Sequence, residues 1–253
     1  MSVKNAAERF SSRVTDYVRY RPGYPPEVIA LLRSECGLTP EAVVADIASG
    51  TGIFTRMLLE NGNRVFGVEP NPEMRSAGEQ FLSAYSKFAS LPGAAESTTL
   101  PAHSVDIVTA AQAAHWFDRD KARREFIRIL KPGGWTVLIW NERKTGGSAF
   151  LRDYEQLLLT YGTDYREVRH ERTTAQIADF FAPSPVRAQR FAMQQDLDYS
   201  SLRGRLLSSS YTPQPGHPNH EAMLAELRRI FDAHQVNGFV SLDYDTRAFY
   251  GQL

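Results

Sequence analysis

The sequence predicts a doubly wound α/β domain with a mostly parallel sheet and an antiparallel last strand. Three observations lead there. Short, continuously apolar runs alternate with segments whose apolar residues fall at helical spacing, which is how a sheet covered on both faces reads. A loop of small residues, Ala48-Ser49-Gly50-Thr51-Gly52, follows the first of those runs. The final segment, Phe239 to Tyr250, instead alternates in steps of two. Val240, Leu242, Tyr244, Ala248 and Tyr250 fall on one side and Ser241, Asp243, Asp245 and Arg247 on the other, as in an antiparallel strand with one wet face.

Val43 to Ile47 reads as the first strand, and Phe54, Met57 and Leu58 follow at helical spacing. Arg64 to Val68 is a second strand, ended by Glu69-Pro70-Asn71-Pro72, where two prolines stop a ladder. Glu73 to Phe81 suits a helix with Pro72 in its first turn. Lys87 to Ser90 is a weaker strand, and Val105 to Ala110 a clear one. Ala122, Phe126, Ile129 and Leu130 mark one face of a helix that Lys131-Pro132-Gly133-Gly134 ends, and Trp135 to Trp140 is the next strand. Beyond it, Leu151, Tyr154, Leu158 and Tyr161 give a helix, Ala175 to Phe181 a shorter one before Pro183 and Pro185, and Asn219 to His234 a longer one striped by Leu224, Leu227, Ile230 and Phe231. No repeat or linker interrupts the chain, so residues 1–253 are expected to form one domain. Within it, 148–235 is a helical cap or insertion and 239–250 the final strand.

Composition narrows the function. The chain has 253 residues, 42% of them hydrophobic, and 29 basic side chains balance 29 acidic ones. A net charge of zero argues against a broad grip on nucleic acid, which needs many phosphate contacts. Cys36 is the single cysteine, so neither an internal disulfide nor a cysteine-built zinc site is available. His217 and His220 flank Pro218 without nearby acids, and no metal is expected. MSVKNAAERF lacks the apolar core of a signal peptide, and no stretch reads as a membrane span. The expectation is a cytoplasmic protein, monomeric or a weak homodimer, without nucleic-acid or membrane partners.

The small-residue loop stands where a doubly wound sheet binds ligands, at the carboxyl end of a strand. Gly50 and Gly52 permit positive φ and close approach of a ligand to the backbone. A dinucleotide fingerprint would need a third glycine where Thr55 stands, and a phosphate loop would need a lysine after Gly52; both are absent. Asp46, just before the loop, suits a ligand with an amino group or positive centre. Glu69, at the end of the second strand, is placed to accept hydrogen bonds from a ribose diol. Glu96, in Pro92-Gly93-Ala94-Ala95-Glu96-Ser97, offers an acceptor for an exocyclic amine.

VVADIASGTGIFTRMLLENGNRVFGVEPNPEM, PGAAESTTLPAHSVDIVTAAQAAHWFD and LKPGGWTVLIW resemble, in order and spacing, the motifs of class I S-adenosylmethionine-dependent methyltransferases. Within that class the chain is similar to the small-molecule group that includes the ubiquinone/menaquinone-biosynthesis and trans-aconitate methyltransferases. The resemblance covers residues 40–141, the expected cofactor-binding core, and extends to YVRYRPGYP near the start. It implies a seven-stranded Rossmann-like methyltransferase fold and S-adenosyl-L-methionine as cofactor. It implies that Ala48, Ser49, Gly50, Thr51 and Gly52 lie against the methionine part, with Asp46 orienting the amino group. Glu69 would hold the ribose, Pro70 to Met74 the adenine side, and Ala95 and Glu96 the adenine edge. Ala111 and Gln112 would lie beneath the sulfonium, while His115, Trp116 and Phe117 would face the acceptor. The family's first loop glycine is Ala48 here, so an ordinary negative φ is expected at that position.

The implied activity is methyl transfer to a small organic acceptor through a carboxylate, a hydroxyl or an acidic carbon. A carboxylate needs no base; for the other two, His115 is the candidate base. A nicotinamide-dependent oxidoreductase and a non-catalytic cofactor-binding module are the alternatives. Tyr17, Tyr20 and Arg21 precede Pro22 at helical spacing and are expected to share one face. Residues 1–30 are therefore expected to form a lid, with these three side chains completing the acceptor pocket.

Overall fold

The computed structural model describes residues 19–168, 177 and 179–253. Tyr17, with the rest of 1–18, and residues 175, 176 and 178 of the expected helix Ala175 to Phe181 lie outside the described residues, although 177 and 179–181 are helical. A seven-stranded sheet runs through the structure in the order β3-β2-β1-β4-β5-β7-β6. Its strands are β1 (Val43–Ile47), β2 (Arg64–Val68), β3 (Phe88–Leu91), β4 (Val105–Ala111), β5 (Leu130–Arg143), β6 (Arg187–Leu197) and β7 (Val240–Gly251). β1 to β5 are parallel, and β7 runs antiparallel between β5 and β6.

The helices are α1 (Glu27–Glu35), α2 (Ile53–Glu60), α3 (Pro72–Phe81), α4 (Arg119–Ile129), α5 (Ala149–Tyr161), α6 (Tyr165–Val168), α7 (Tyr199–Leu207) and α8 (His220–His234). Alternate residues of the central strands feed two cores. Ala45, Ile47, Val108, Ala110, Leu138 and Trp140 pack with Phe126 and Ile129 of α4 on one face. Val44, Ile107, Val137 and Ile139 pack with Leu32 of α1 and with Phe54 and Leu58 of α2 on the other. A third core joins α5, α7 and α8 to Val240, Leu242 and Tyr244 in the first half of β7.

Strand order reverses beside β1. The chain moves outward from β1 through β2 and β3, then returns to β4 on the other side. The loops leaving β1 and β4 therefore diverge, and a crevice opens at the carboxyl ends of the strands. Gly52, the N-cap of α2, has φ 84°. A Cβ there would stand 2.6 Å from Leu82 Cδ1, so this glycine serves helix packing as well as the turn.

The structure departs from expectation in three places. The segment 148–235 is not helical throughout: Arg187–Leu197 forms β6, paired along its whole length with β7. It is an edge strand whose inward residues are only Phe191, Met193, Gln195 and Leu197, with Arg187 to Arg190 exposed, so its apolar alternation is short and broken by a glutamine. Leu130 opens β5 rather than closing α4, with ψ 137° at the helix cap. Lys131 to Gly134 then bulge from the ladder between the pairs Val105–Leu130 and Ile107–Trp135.

Gly52→Ala is expected to lower stability by about 1–3 kcal/mol, from left-handed strain and overpacking against Leu82. Urea unfolding followed by circular dichroism should show the loss with the α/β spectrum retained.

Candidate active site

A cavity of about 610 Å³ opens at the carboxyl end of the parallel strands. Asp46 of β1 and Ala48, Ser49, Gly50 and Thr51 after it form one end, with Ile53 and Phe54 of α2. Ala111 and Gln112, at the end of β4, and Asn141 to Gly146, from the end of β5, form the middle. The far wall is Tyr165, Arg205, Tyr211, Tyr244, Asp245 and Arg247, and Arg21, Pro22 and Tyr24 also line the cavity.

Asp46 is 1% exposed. Its carboxylate accepts from the hydroxyls of Thr55 of α2 (2.6 Å) and Thr109 of β4 (2.8 Å). Burial pushes its pKa up from the ordinary 3.8 to about 6, against the pull of the two hydroxyls. Thr55, where a dinucleotide loop would place glycine, is thus a partner of Asp46.

The loop itself is held from below. Glu69 is buried, and its two oxygens accept from the backbone N–H groups of Gly50 (2.9 Å) and Asn71 (2.8 Å). Burial raises its pKa, opposed by those donors. Ala48 has φ 53° rather than the expected negative value, and Gly50 has φ 58°. Left-handed alanine costs roughly 1–2 kcal/mol, so the turn out of β1 is imposed by its surroundings and not by residue preference. Met74 packs beneath, with its Cε 3.4 Å from where a Cβ on Gly50 would lie.

Three features fit this end to an amino-bearing, polar cofactor. Asp46 offers a carboxylate; among the described residues, the buried Thr51 Oγ1 has no hydrogen-bond partner and the N-terminus of α2 has no side-chain cap. Uncapped first-turn N–H groups are ready donors.

The remaining expected residues divide. Gln112, with φ 60°, donates from its amide to the carbonyl of Asn141 (3.2 Å). Asn141 also donates to the carbonyl of Gly23 (2.8 Å) and accepts from Thr246 (2.6 Å), tying the segment around Gly23 to β5 and β7. Arg21 donates to the carbonyl of Ser208 (2.8 Å). Tyr20 does not share its role: its ring seats on Gly204 of α7, where a Cβ would stand 2.1 Å from it. Ala95 is buried in the core and Pro70 is exposed. Glu96 accepts from the backbone N–H of Asp118 (2.7 Å).

Glu69, Ala95, Glu96, His115 and Trp116 are not on the cavity wall. His115 and Trp116 share a short 3₁₀ turn, Ala114–Trp116, with rings 4.7 Å apart. Phe117 stacks edge-on against Phe126 in the core.

The far wall was not signalled by the sequence. Arg143 pairs with Glu155 and donates to the Tyr165 hydroxyl (2.9 Å). Burial raises the pKa of Tyr165, so its phenol stays neutral. Arg205 is 6% exposed and donates to Tyr244 (3.2 Å) and Ser209 (3.0 Å). Tyr244 carried one legible signal, the inward register of the alternating last strand; Arg205 carried none.

The family model described as a methyltransferase domain matches residues 45–138. That segment runs from the middle of β1 through the loop, β2, β3 and β4 into β5. Uncharacterized methyltransferases of Mycobacterium tuberculosis are 42% identical to the chain over 136 residues, covering 53% of this chain and 52% of theirs. One from Schizosaccharomyces pombe is 31% identical over 135 residues, with the same shares. The chain thus aligns with about half the length of the curated relatives it matches.

Beyond the matched segment the likeness is one of fold. A structure described as a candidate type II methyltransferase from Anaeromyxobacter dehalogenans superposes with a TM-score of 0.70 at 20% identity, covering 92% of this chain and 98% of that one. A candidate methyltransferase of antibiotic biosynthesis from Anabaena variabilis gives 0.63 at 23% identity, covering 90% and 97%. The seven-stranded Rossmann-like fold expected of class I methyltransferases is present.

Because burial raises the pKa of Asp46, the folded state holds its proton more tightly than the unfolded chain does. The contribution of Asp46 to stability therefore falls as pH rises from about 4 to about 6 and is level above that. Asp46→Asn is expected to gain stability relative to the parent by about 1–3 kcal/mol over that window. Paired urea titrations at pH 4.5 and 7 read the difference; an unchanged difference would remove the buried-carboxylate assignment.

Proposed function

We propose that the protein transfers the methyl group of S-adenosylmethionine to a small organic acceptor held in the cavity. One observation carries the reading: the loop after β1, within the segment that matches the methyltransferase-domain model, and the tyrosine- and arginine-lined wall face the same cavity. A solved geranyl diphosphate C-methyltransferase from Streptomyces coelicolor, 16% identical with a TM-score of 0.50, was crystallised with S-adenosyl-L-homocysteine. It shares the fold, and its ligand is the demethylated form of the proposed cofactor.

The residues at the β1 end suit the methionine portion. Ionised Asp46 takes the ammonium group, Thr51 offers its hydroxyl, and Ala48 to Gly50 bring bare backbone close. Ala111 and Gln112 form the floor between the two ends. Arg21, Pro22 and Tyr24 cover the opening and exclude water, acting as the described part of the lid. The cofactor supplies a methyl group already activated by its sulfonium, so no strong acid is required of the protein. Its main task is alignment, which effective-molarity arguments value at about 7–11 kcal/mol of barrier.

Calorimetry with S-adenosylhomocysteine tests the reading. Binding should tighten by up to about tenfold per pH unit below about pH 6, as Asp46 ionises, and level off above it. Asp46→Asn should bind weakly and without that slope. NAD should not bind. An acceptor screen with mass detection should then find the increment of one added methylene unit. Binding of NAD in preference to S-adenosylhomocysteine, or tight binding by Asp46→Asn, would contradict the proposal.

A further inference from the structure

The cavity wall contains a buried positive charge that no carboxylate matches among the described residues. Arg205 lies on α7 and faces Tyr244 of β7 and Ser209. Its Nε and Nη1 donate to those two hydroxyls, both neutral groups, and Nη2 makes no hydrogen bond among the described residues. No carboxylate lies within ion-pair distance of it among those residues, whereas Arg143, Lys144 and Arg247 of the same cavity each have one. Arg143 is matched by Glu155, Lys144 by Asp245 at 3.5 Å and Arg247 by Glu142 at 3.3 Å. A guanidinium that is 94% buried costs a large desolvation penalty when it has no counter-charge. It remains charged in any protein environment.

The charge is also separated from the cofactor end. β1 and β7 are three strand positions apart in the sheet, which at the usual spacing is about 14 Å. The carboxylate at the β1 end, Asp46, accepts from Thr55 and Thr109 and is no counter-ion for Arg205. The two ends of one cavity therefore present opposite charges.

We infer that Arg205, supported by Tyr244 and Ser209, is an anion subsite that anchors the acceptor by a carboxylate. A carboxylate matches the guanidinium fork and brings one negative charge to one positive charge. A phosphate dianion would leave excess charge in a wall whose other arginines and lysine are already paired. The subsite rests on the methyl-transfer reading only in calling its ligand an acceptor; the anion site itself stands on Arg205.

The test uses the full chain, with and without saturating S-adenosylhomocysteine. Thermal unfolding and calorimetry are run with succinate, tricarballylate and benzoate, with the corresponding amides, and with inorganic phosphate. At least one acid should stabilise the protein and bind it, while its amide does neither. Arg205→Met should weaken that acid by at least about tenfold while leaving affinity for S-adenosylhomocysteine within about threefold. The same variant should unfold at or above the parent temperature, because it removes an unmatched buried charge. Equal binding of acids and amides, unaltered acid binding in Arg205→Met, or stabilisation by phosphate alone would overturn the assignment. The acid–amide comparison needs no variant, so it holds even if Arg205→Met folds poorly. Failure of S-adenosylhomocysteine to bind would contradict the methyl-transfer reading and leave the anion measurement intact.

Discussion

A buried carboxylate shared between two threonine hydroxyls organises this molecule. Asp46 sits at the end of the strand where the sheet changes direction, and its oxygens reach α2 through Thr55 and β4 through Thr109. A carboxylate so deeply buried is tolerated only when hydrogen bonds replace lost water. Satisfying it therefore fixes how α2 and β4 approach β1. That fixes the path of the intervening loop, including the left-handed turns at Ala48, Gly50 and Gly52. Glu69 completes the arrangement from the second strand by accepting from Gly50. Two acids thus hold one loop, one at its root and one beneath it.

The rest of the cavity follows from topology. Parallel β5 and antiparallel β7 run side by side, with Arg143 opposite Tyr244. The first half of β7 therefore projects past the carboxyl ends of the parallel strands and offers a wall for α7 to pack on. The segment Tyr20 to Gly23 is attached to that wall at several points: Arg21 to Ser208, Gly23 to Asn141, and Tyr20 through its carbonyl to Gln195. Gln195 in turn accepts from the Tyr244 hydroxyl at 3.4 Å, which links that segment to the side chain that Arg205 touches.

Sequence pattern revealed what local chemistry dictates. Val43 to Ile47 and Arg64 to Val68 were legible to the residue because buried parallel strands are continuously apolar. The loop was legible because nothing but small residues allows such close turns. Ala48 was misjudged because a left-handed alanine is set by its neighbours, here the demands of Asp46 and Glu69, and not by its own preference. His115, Trp116 and Phe117 suggested a pocket, yet none of them lines the cavity, and Phe117 closes the core beside Phe126. β6 and α7 left weak marks. The strand is an exposed edge, and Gly204 in α7, a poor helix former, is present because Tyr20 packs on it. Arg205 was illegible for the same reason, since a buried unmatched charge exists only once distant elements have met.

The account places two chemically opposite ends in one cavity, an acid beside the loop after β1 and a guanidinium beside β7. The most direct measurement is a crystal structure with S-adenosylhomocysteine bound. The account predicts the homocysteine amino group against Asp46 and the loop Ala48 to Thr51, the thioether above Ala111 and Gln112, and the Arg205–Tyr244 wall left uncovered. A ligand whose carboxylate lies on Arg205, or one bound outside this cavity, would contradict it.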